Sequence, residues 1–155
     1  MQIKRFSELD DNILEKIIHK HFCHWSKFNS TMTIDTTREK FLEYALNKDG
    51  LPFGIAMFDE NDLIGFLVFK KECLYKYPEF TPWISDVMIF DKYRGKGYGR
   101  KLISEALKIL KKLGYKKVYL WTDQAPLFYQ KIGFQFVQIV EKNEGGYGEL
   151  YSIDC

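Results

Sequence analysis

An apolar run that leads through alternating glycines into a long amphipathic pattern constrains this chain most. Residues Trp83 to Phe90 are mostly apolar, which predicts a strand covered on both faces. Gly95, Gly97 and Gly99 follow, and Tyr98 to Leu113 has helical spacing. Glycines let a backbone approach a ligand closely, and a helix start carries partial positive charge. The combination favours binding of a phosphate or pyrophosphate.

Two common phosphate-binding loops are excluded. No Gly-x-x-x-x-Gly-Lys string followed by Ser or Thr occurs, and the glycines are spaced Gly-x-Gly-x-Gly rather than Gly-x-Gly-x-x-Gly. The alternative to a ligand site is a plain glycine-rich turn into a surface helix. Basic side chains around the turn favour the anion site: Arg94, Lys96, Arg100 and Lys101.

The other patterns complete an α/β chain with a mixed sheet. Asp35 or Thr36 is expected to cap the second helix, and Gly114 to end the third. A length of 155 residues predicts a single domain. The further predicted elements are strands at Gln2 to Phe6, Phe53 to Phe58, Leu63 to Phe69, Lys116 to Trp121, Phe134 to Val140 and Tyr147 to Ile153, and helices at Asp10 to His24, Asp35 to Asn47 and Ala125 to Lys131.

Composition restricts the partners and the compartment. The chain carries 23 Lys and Arg against 21 Asp and Glu, a balance that gives no electrostatic footprint for nucleic acid or an anionic membrane. Three scattered cysteines do not form a disulfide framework and fit a reducing compartment. No signal peptide or membrane-spanning run is recognised, so we expect a cytoplasmic protein.

Two segments resemble the conserved blocks of one enzyme family. Arg94-x-x-Gly97-x-Gly99 resembles the Arg/Gln-x-x-Gly-x-Gly/Ala signature of the GNAT family, the Gcn5-related N-acetyltransferases. Residues Ala125 to Phe134 resemble its second block, Ala-x-x-Phe-Tyr-x-Lys-x-Gly-Phe. The resemblance covers residues 53 to 140, and before that only the order of elements matches. It implies a mixed, mostly antiparallel sheet that is splayed at the fourth strand and flanked by helices on both faces.

The same resemblance implies a site for acetyl-CoA. The backbone of Val87, Met88 and Ile89 would pair with the pantetheine amides, and the N–H near Met88 would polarise the thioester carbonyl. The pyrophosphate would lie on the loop at the start of the long helix. The residues assigned to that loop are Arg94, Gly95, Lys96, Gly97, Tyr98, Gly99 and Arg100.

The resemblance identifies a candidate general acid but no clear general base. Tyr129 matches the tyrosine that protonates the leaving CoA thiolate. Many relatives place a glutamate where this chain has Trp83, which cannot accept a proton. Asp86 is predicted to face away from Val87 unless a bulge intervenes. Asp123 follows the fifth strand and is the candidate base, and a water chain is left open as an alternative.

The residues that would contact the acceptor amine are predicted only from their position in the chain. The first two helices wall the acceptor site in the family, which makes Trp25 and Phe28, with His21 and His24 beside them, candidates for contact with the amine. Trp83 and Tyr147 are further candidates for substrate binding. The histidines near Cys23 do not converge on one helix face, so no metal is expected.

The resulting prediction is an acetyl-CoA-dependent N-acetyltransferase. A primary amine, on a small molecule or a peptide, would attack the thioester directly in a ternary complex. A non-catalytic CoA-binding sensor of the same fold is the alternative. No nucleic acid or membrane partner is expected, and a homodimer is left open.

Overall fold

The structure is a computed structural model that describes all residues from 1 to 155, and its element order is the predicted one. Every predicted helix and strand boundary lies within one residue of the observed boundary. The elements are β1 (Gln2–Arg5), α1 (Asp11–Trp25), α2 (Ile34–Leu46), β2 (Phe53–Asp59), β3 (Asp62–Lys70), β4 (Trp83–Ile89), α3 (Tyr98–Lys112), β5 (Lys117–Thr122), α4 (Pro126–Lys131), β6 (Gln135–Glu141) and β7 (Tyr147–Asp154).

The strands form a seven-stranded mixed sheet, which confirms the predicted α/β class. Their hydrogen-bonded order is β1-β2-β3-β4-β5-β7-β6, with β4 and β5 parallel. The chain divides into two compact units, residues 1–69 with 86–102 and residues 70–85 with 103–155. Strand β4 therefore contributes its first half to the second unit and its second half to the first. None of the helices has the length and apolar character that crossing a membrane requires.

The first unit packs α1 and α2 on strands that are buried along their length. Strands β2 and β3 pair antiparallel from Phe53↔Phe69 to Asp59↔Asp62. The core of this unit includes Ile17 and Ile18 of α1 and Phe41 of α2. Burying such apolar surface is the main stabilising term in folding.

The buried face of α2 differs from the predicted one. The spacing of Phe41, Leu42, Ala45 and Leu46 in the sequence predicts that they are buried, but the side chains of Leu42 and Leu46 are 46% and 78% exposed. Instead, Thr37, Phe41 and Tyr44 form the buried face. These three positions are separated by four and three residues, so they lie above one another on a helix, whereas Leu42 lies about 100° away from Phe41.

The second unit combines the antiparallel strands β5, β7 and β6 with the first half of β4. Its core includes Trp83, Leu74, Val140 and Leu150. The last part of α3 also lies in this unit, and the helical spacing of its apolar residues predicts that Leu113 continues its buried face. Leu113 is 42% exposed because α3 ends at Lys112.

Gly114 ends α3 as predicted. It takes a φ of +94°, and the N–H of Tyr115 donates to the carbonyl of Leu110 at 3.0 Å. A left-handed glycine followed by such a backward hydrogen bond is the usual way in which a chain leaves a helix. The exposed position of Leu113 follows from this turn.

The N-cap of α2 provides a test of which side chain stabilises the start of this helix. Thr33, rather than Asp35 or Thr36, is the N-cap residue, and its hydroxyl accepts the N–H of Thr36 at 3.0 Å. Thr33→Ala should lower the free energy of unfolding by about 1 kcal/mol, since a backbone donor loses its partner. Thr33→Ser should keep most of that stability in urea unfolding.

Asp35→Ala is the matched control, because Asp35 makes only an exposed ion pair with Arg38 in the same turn. Exposed ion pairs are worth about 0–1 kcal/mol. A larger loss for Asp35→Ala than for Thr33→Ala would contradict the assignment of the cap.

Candidate functional site

The second half of β4 departs from regular strand geometry at Asp86. This residue has a φ of +54°, and the other non-glycine residue with positive φ is Glu60, in the turn between β2 and β3. Left-handed backbone inside a strand breaks the two-residue alternation of side chains. The Asp86 carboxylate contacts α1, where its Oδ1 lies 3.2 Å from Nε2 of His21.

Strand β3 approaches β4 very closely just after this point. A Cβ atom placed on Gly65 would lie 2.2 Å from the carbonyl oxygen of Met88. The N–H of Phe90 donates to the carbonyl of Ile64 at 2.9 Å, which joins the end of β4 to β3. Gly65 therefore permits the path of the backbone assigned to pantetheine. Its sequence signal is a lone glycine within an apolar strand, which often marks a close backbone approach.

The loop that follows β4 has the backbone conformation expected of an anion site. Gly95 and Gly97 have φ values of +77° and +84°, and no atom within 4 Å would obstruct a Cβ at either position. Both glycines are thus required by conformation rather than by space. The carbonyl of Gly97 accepts the first helical hydrogen bond, from Lys101. The N–H groups of Tyr98 and Gly99 precede any intrahelical acceptor and point out of the helix start.

Two side chains hold this loop in place. Nε of Arg94 donates to the carbonyl of Ile89 at 3.0 Å, which ties the loop to the end of β4. The hydroxyl of Tyr98 donates to Oδ2 of Asp59 at 2.9 Å, at the end of β2. That hydrogen bond raises the pKa of Tyr98 above its ordinary value, since the carboxylate accepts the proton that ionisation would remove. Lys96 and Arg100 are exposed beside the loop.

Aromatic rings form a continuous row along the end of α1. The His21 ring stacks on Trp25 at 4.4 Å between centroids, Trp25 contacts His24 at 4.7 Å, and His24 contacts Phe28 at 5.8 Å. Phe28 is 59% exposed. Partial burial lowers the pKa of His24, with the nearby charges of Arg94 and Lys27 acting in the same direction. Trp25 and Phe28, both predicted from position, thus belong to one aromatic surface of the first unit.

The predicted acid lies in the second unit. Tyr129 is half-buried in α4, and its ring packs edge-on against Phe128 and Phe134. Burial raises the pKa of Tyr129 to about 12. The hydroxyl therefore keeps its proton throughout the neutral range and is available as a hydrogen-bond donor.

The other predicted site residues of this unit differ from Tyr129 in burial and in hydrogen-bond partners. Asp123 accepts a hydrogen bond from Nζ of Lys142 at 2.8 Å. Tyr147 begins β7 and is 69% exposed. Trp83 is fully buried, and its indole N–H donates to the carbonyl of Phe80. Because Trp83 is a core residue with no exposed surface, the structure does not support the prediction that it contacts substrate.

A family model agrees with the resemblance of the two sequence blocks. The model described as the Acetyltransferase (GNAT) family matches residues 16–134. The uncharacterized N-acetyltransferase YhbS of Escherichia coli is 31% identical over 107 residues, which cover 66% of this chain and 62% of that protein. Spermine/spermidine N(1)-acetyltransferase of Bacillus subtilis is 29% identical over 94 residues, or 53% of this chain and 59% of its own. The matched stretch spans less than two thirds of the length of either relative.

A solved structure shares the whole fold. An aminoglycoside 6'-N-acetyltransferase complexed with coenzyme A superposes with a TM-score of 0.76 over 99% of this chain and 97% of its own. The sequence identity is 16%, so the likeness concerns the fold alone.

The close approach of β3 and β4 can be tested at Gly65. Gly65→Ala places a methyl group against the Met88 carbonyl and should lower the free energy of unfolding by about 1–3 kcal/mol, as overpacking does. Urea unfolding measures the loss. Gly50→Ala is the matched control, because nothing lies within 4 Å of its added Cβ. Equal stability of the two variants would show that the strands do not approach as described.

Proposed function

Because this chain belongs to the Acetyltransferase (GNAT) family, we propose that it transfers an acetyl group from acetyl-CoA to a primary amine. The observation that carries the proposal is the loop before α3, where left-handed Gly95 and Gly97 lead into a helix start. Backbone N–H groups and the helix dipole there favour a pyrophosphate. Arg94, Lys96 and Arg100 add positive charge around it.

The residues present fit the CoA moiety. Backbone atoms of Val87, Met88 and Ile89 offer hydrogen bonds to the pantetheine amides, and Gly65 keeps β3 clear of side-chain atoms beside them. The thioester supplies the electrophile: as the amine nitrogen forms a bond to its carbonyl carbon, the C–S bond breaks and the electron pair leaves on sulfur. The N–H of Met88 is assigned to the carbonyl oxygen, where negative charge develops during attack.

Tyr129 is assigned to the leaving sulfur on the strength of its sequence block. A phenol with a pKa of about 12 is a weaker acid than a thiol, whose pKa is about 8.5. Complete proton transfer from the phenol to the thiolate would therefore be uphill. Tyr129 is expected to stabilise the thiolate by donating a hydrogen bond, and the proton that finally neutralises the sulfur comes from solvent.

The amine class follows from the relatives and the surface of the first unit. One relative is named for spermine and spermidine, and one structural neighbour for aminoglycosides, so we propose a basic primary amine as acceptor. Trp25, Phe28 and Tyr147 are its proposed contacts. Asp123 and a water chain are the proton acceptors that the sequence favoured. The proposed compartment is the cytoplasm, because three scattered cysteines fit a reducing environment.

A non-catalytic CoA sensor is the second candidate, favoured by the presence of Trp83 where many relatives carry glutamate. The two candidates differ in one readout. An enzyme releases free CoA thiol when an amine is added to acetyl-CoA, whereas a sensor binds CoA and releases none.

Gly97→Ala tests the anion site. Acetyl-CoA at about 100 times its dissociation constant stabilises a protein by about 2.7 kcal/mol, which raises Tm by about 5–10 °C in a chain of this size. Gly97→Ala should lose most of that rise, because its φ of +84° strains any residue with a Cβ. Thermal unfolding with and without acetyl-CoA gives the measurement.

Gly114→Ala is the matched control for this strain, since Gly114 has a φ of +94°, equally open surroundings and no role in the loop. Both variants should be destabilised by a similar amount, and only Gly97→Ala should lose the ligand response. An unchanged response in Gly97→Ala, or no response in the wild-type protein, would contradict the proposed site.

Tyr129→Phe tests the chemistry. The substitution should lower kcat about 10–100-fold and leave KM for acetyl-CoA nearly unchanged, because it removes one donor to the leaving group and no binding surface. Thiol release measured at pH 7 and pH 9 should show the same ratio to wild type, since the Tyr129 proton is retained at both. A ratio that approaches one at pH 9 would show that the tyrosine ionises far earlier.

A further inference from the structure

The histidine and carboxylate that join α1 to β4 form a feature that the proposed chemistry does not yet use. Oδ1 of Asp86 lies 3.2 Å from Nε2 of His21, and the two side chains are only 16% and 10% exposed. Asp86 immediately precedes the backbone segment assigned to pantetheine, Val87 to Ile89. We propose that Asp86 binds the acceptor's ammonium group and takes a proton from it, and that His21 positions Asp86. This inference rests on the proposed function.

The surroundings of His21 determine which nitrogen carries its proton. Its Nδ1 is buried and has no hydrogen-bond partner. A proton on Nδ1 would leave a buried donor unsatisfied, and it would also point the lone pair of Nε2 at the carboxylate when the ring is neutral. The tautomer with hydrogen on Nε2 avoids both costs and donates to Asp86.

The ring that makes this donation is held rigidly. It stacks on Trp25 and packs against Phe41 at 4.7 Å between centroids. A side chain locked between two rings fixes its hydrogen-bond partner in turn. His21 therefore orients the carboxylate rather than exchanging protons with substrate, which makes it a positioning residue.

The backbone conformation of Asp86 supports a functional role for the pair of Asp86 and His21. A non-glycine residue with a φ of +54° inside a strand is strained, and such strain persists where the surrounding structure imposes it. Strain of this kind concentrates at active sites and ligand clamps.

The chemical step balances with one carboxylate. The ammonium group of the acceptor binds Asp86 as an ion pair. The ammonium nitrogen loses one of its protons to Asp86, and the lone pair so freed forms the C–N bond with the thioester carbonyl carbon. The nitrogen loses its second proton to solvent as the C–S bond breaks, which gives the amide and CoA as the thiolate. The proton on Asp86 then passes to solvent, which restores the carboxylate. No oxidant, reductant or metal is needed.

The aromatic row beside the pair indicates the rest of the acceptor. Trp25, His24 and Phe28 continue from His21 toward the exposed end of α1. Aromatic faces attract both apolar carbon skeletons and cations. The inferred acceptor class is a primary amine on an apolar or aromatic skeleton, with its ammonium group at Asp86.

A matched pair of acceptors tests the role of Asp86. Phenylethylamine is protonated at neutral pH, whereas O-benzylhydroxylamine has nearly the same shape and an unprotonated nitrogen. Asp86→Asn should lower kcat/KM for phenylethylamine at least about 100-fold, a usual loss when a proton acceptor is removed. The loss with O-benzylhydroxylamine should be less than about 10-fold, because its nitrogen enters the site already neutral.

Controls separate chemistry from folding. Asp11→Asn makes the same change of charge on the exposed first turn of α1 and should keep full activity. Asp86→Asn should retain the wild-type rise in Tm with acetyl-CoA, since His21 can donate to the asparagine oxygen. His21→Phe should lower kcat without changing KM for acetyl-CoA, and His21→Gln, which keeps an N–H donor, should recover part of the loss.

The outcomes distinguish this inference from the proposed function. Absence of thiol release by the wild-type protein with both acceptors and with spermidine would overturn the proposed function and this inference with it. Activity in the wild-type protein with equal losses for both acceptors in Asp86→Asn would overturn the inference alone. So would full activity in Asp86→Asn combined with a large loss in Asp123→Asn, which would identify Asp123 as the base.

Discussion

The left-handed backbone of Asp86 is the constraint on which the candidate site depends. It lies within β4 at the residue where the chain passes from the second unit to the first. Before it, Trp83 pairs with Tyr119 of β5, and after it, the strand lies so close to β3 that only glycine fits at position 65. The positive φ of Asp86 thus lies between the residue that pairs with β5 and the segment that lies against β3.

The proposed CoA site relies on backbone groups more than on side chains. The helix start at Gly97, with the N–H groups of Tyr98 and Gly99, offers an anion donors whose strength comes from their orientation. The side chain of Arg94 has a structural role, because its Nε donates to the carbonyl of Ile89 and so holds the loop to the strand. In the proposed site, the mostly apolar strand therefore offers backbone hydrogen bonds to the cofactor and needs no polar side chain to do so.

Most of the fold could be predicted from the sequence because the signals are local. Gly95, Gly97 and Gly114 mark backbone conformations that other residues rarely adopt, and the observed φ values agree. Asp86 could not be predicted, since nothing in its neighbours demands a positive φ, and packing in three dimensions imposes it. Trp83 shows the same limit: its register with the glutamate of many relatives indicated a substrate contact, whereas its burial depends on the side chains of distant residues.

The central claim is that CoA binds to the second half of β4 and to the loop before α3. Hydrogen–deuterium exchange with and without CoA tests it most directly, because it reports backbone N–H groups one segment at a time. Exchange should slow in Val87 to Ile89 and in Gly95 to Arg100, where N–H groups gain acceptors from the ligand. Unchanged exchange in both segments, with slowing confined to other parts of the chain, would contradict the account.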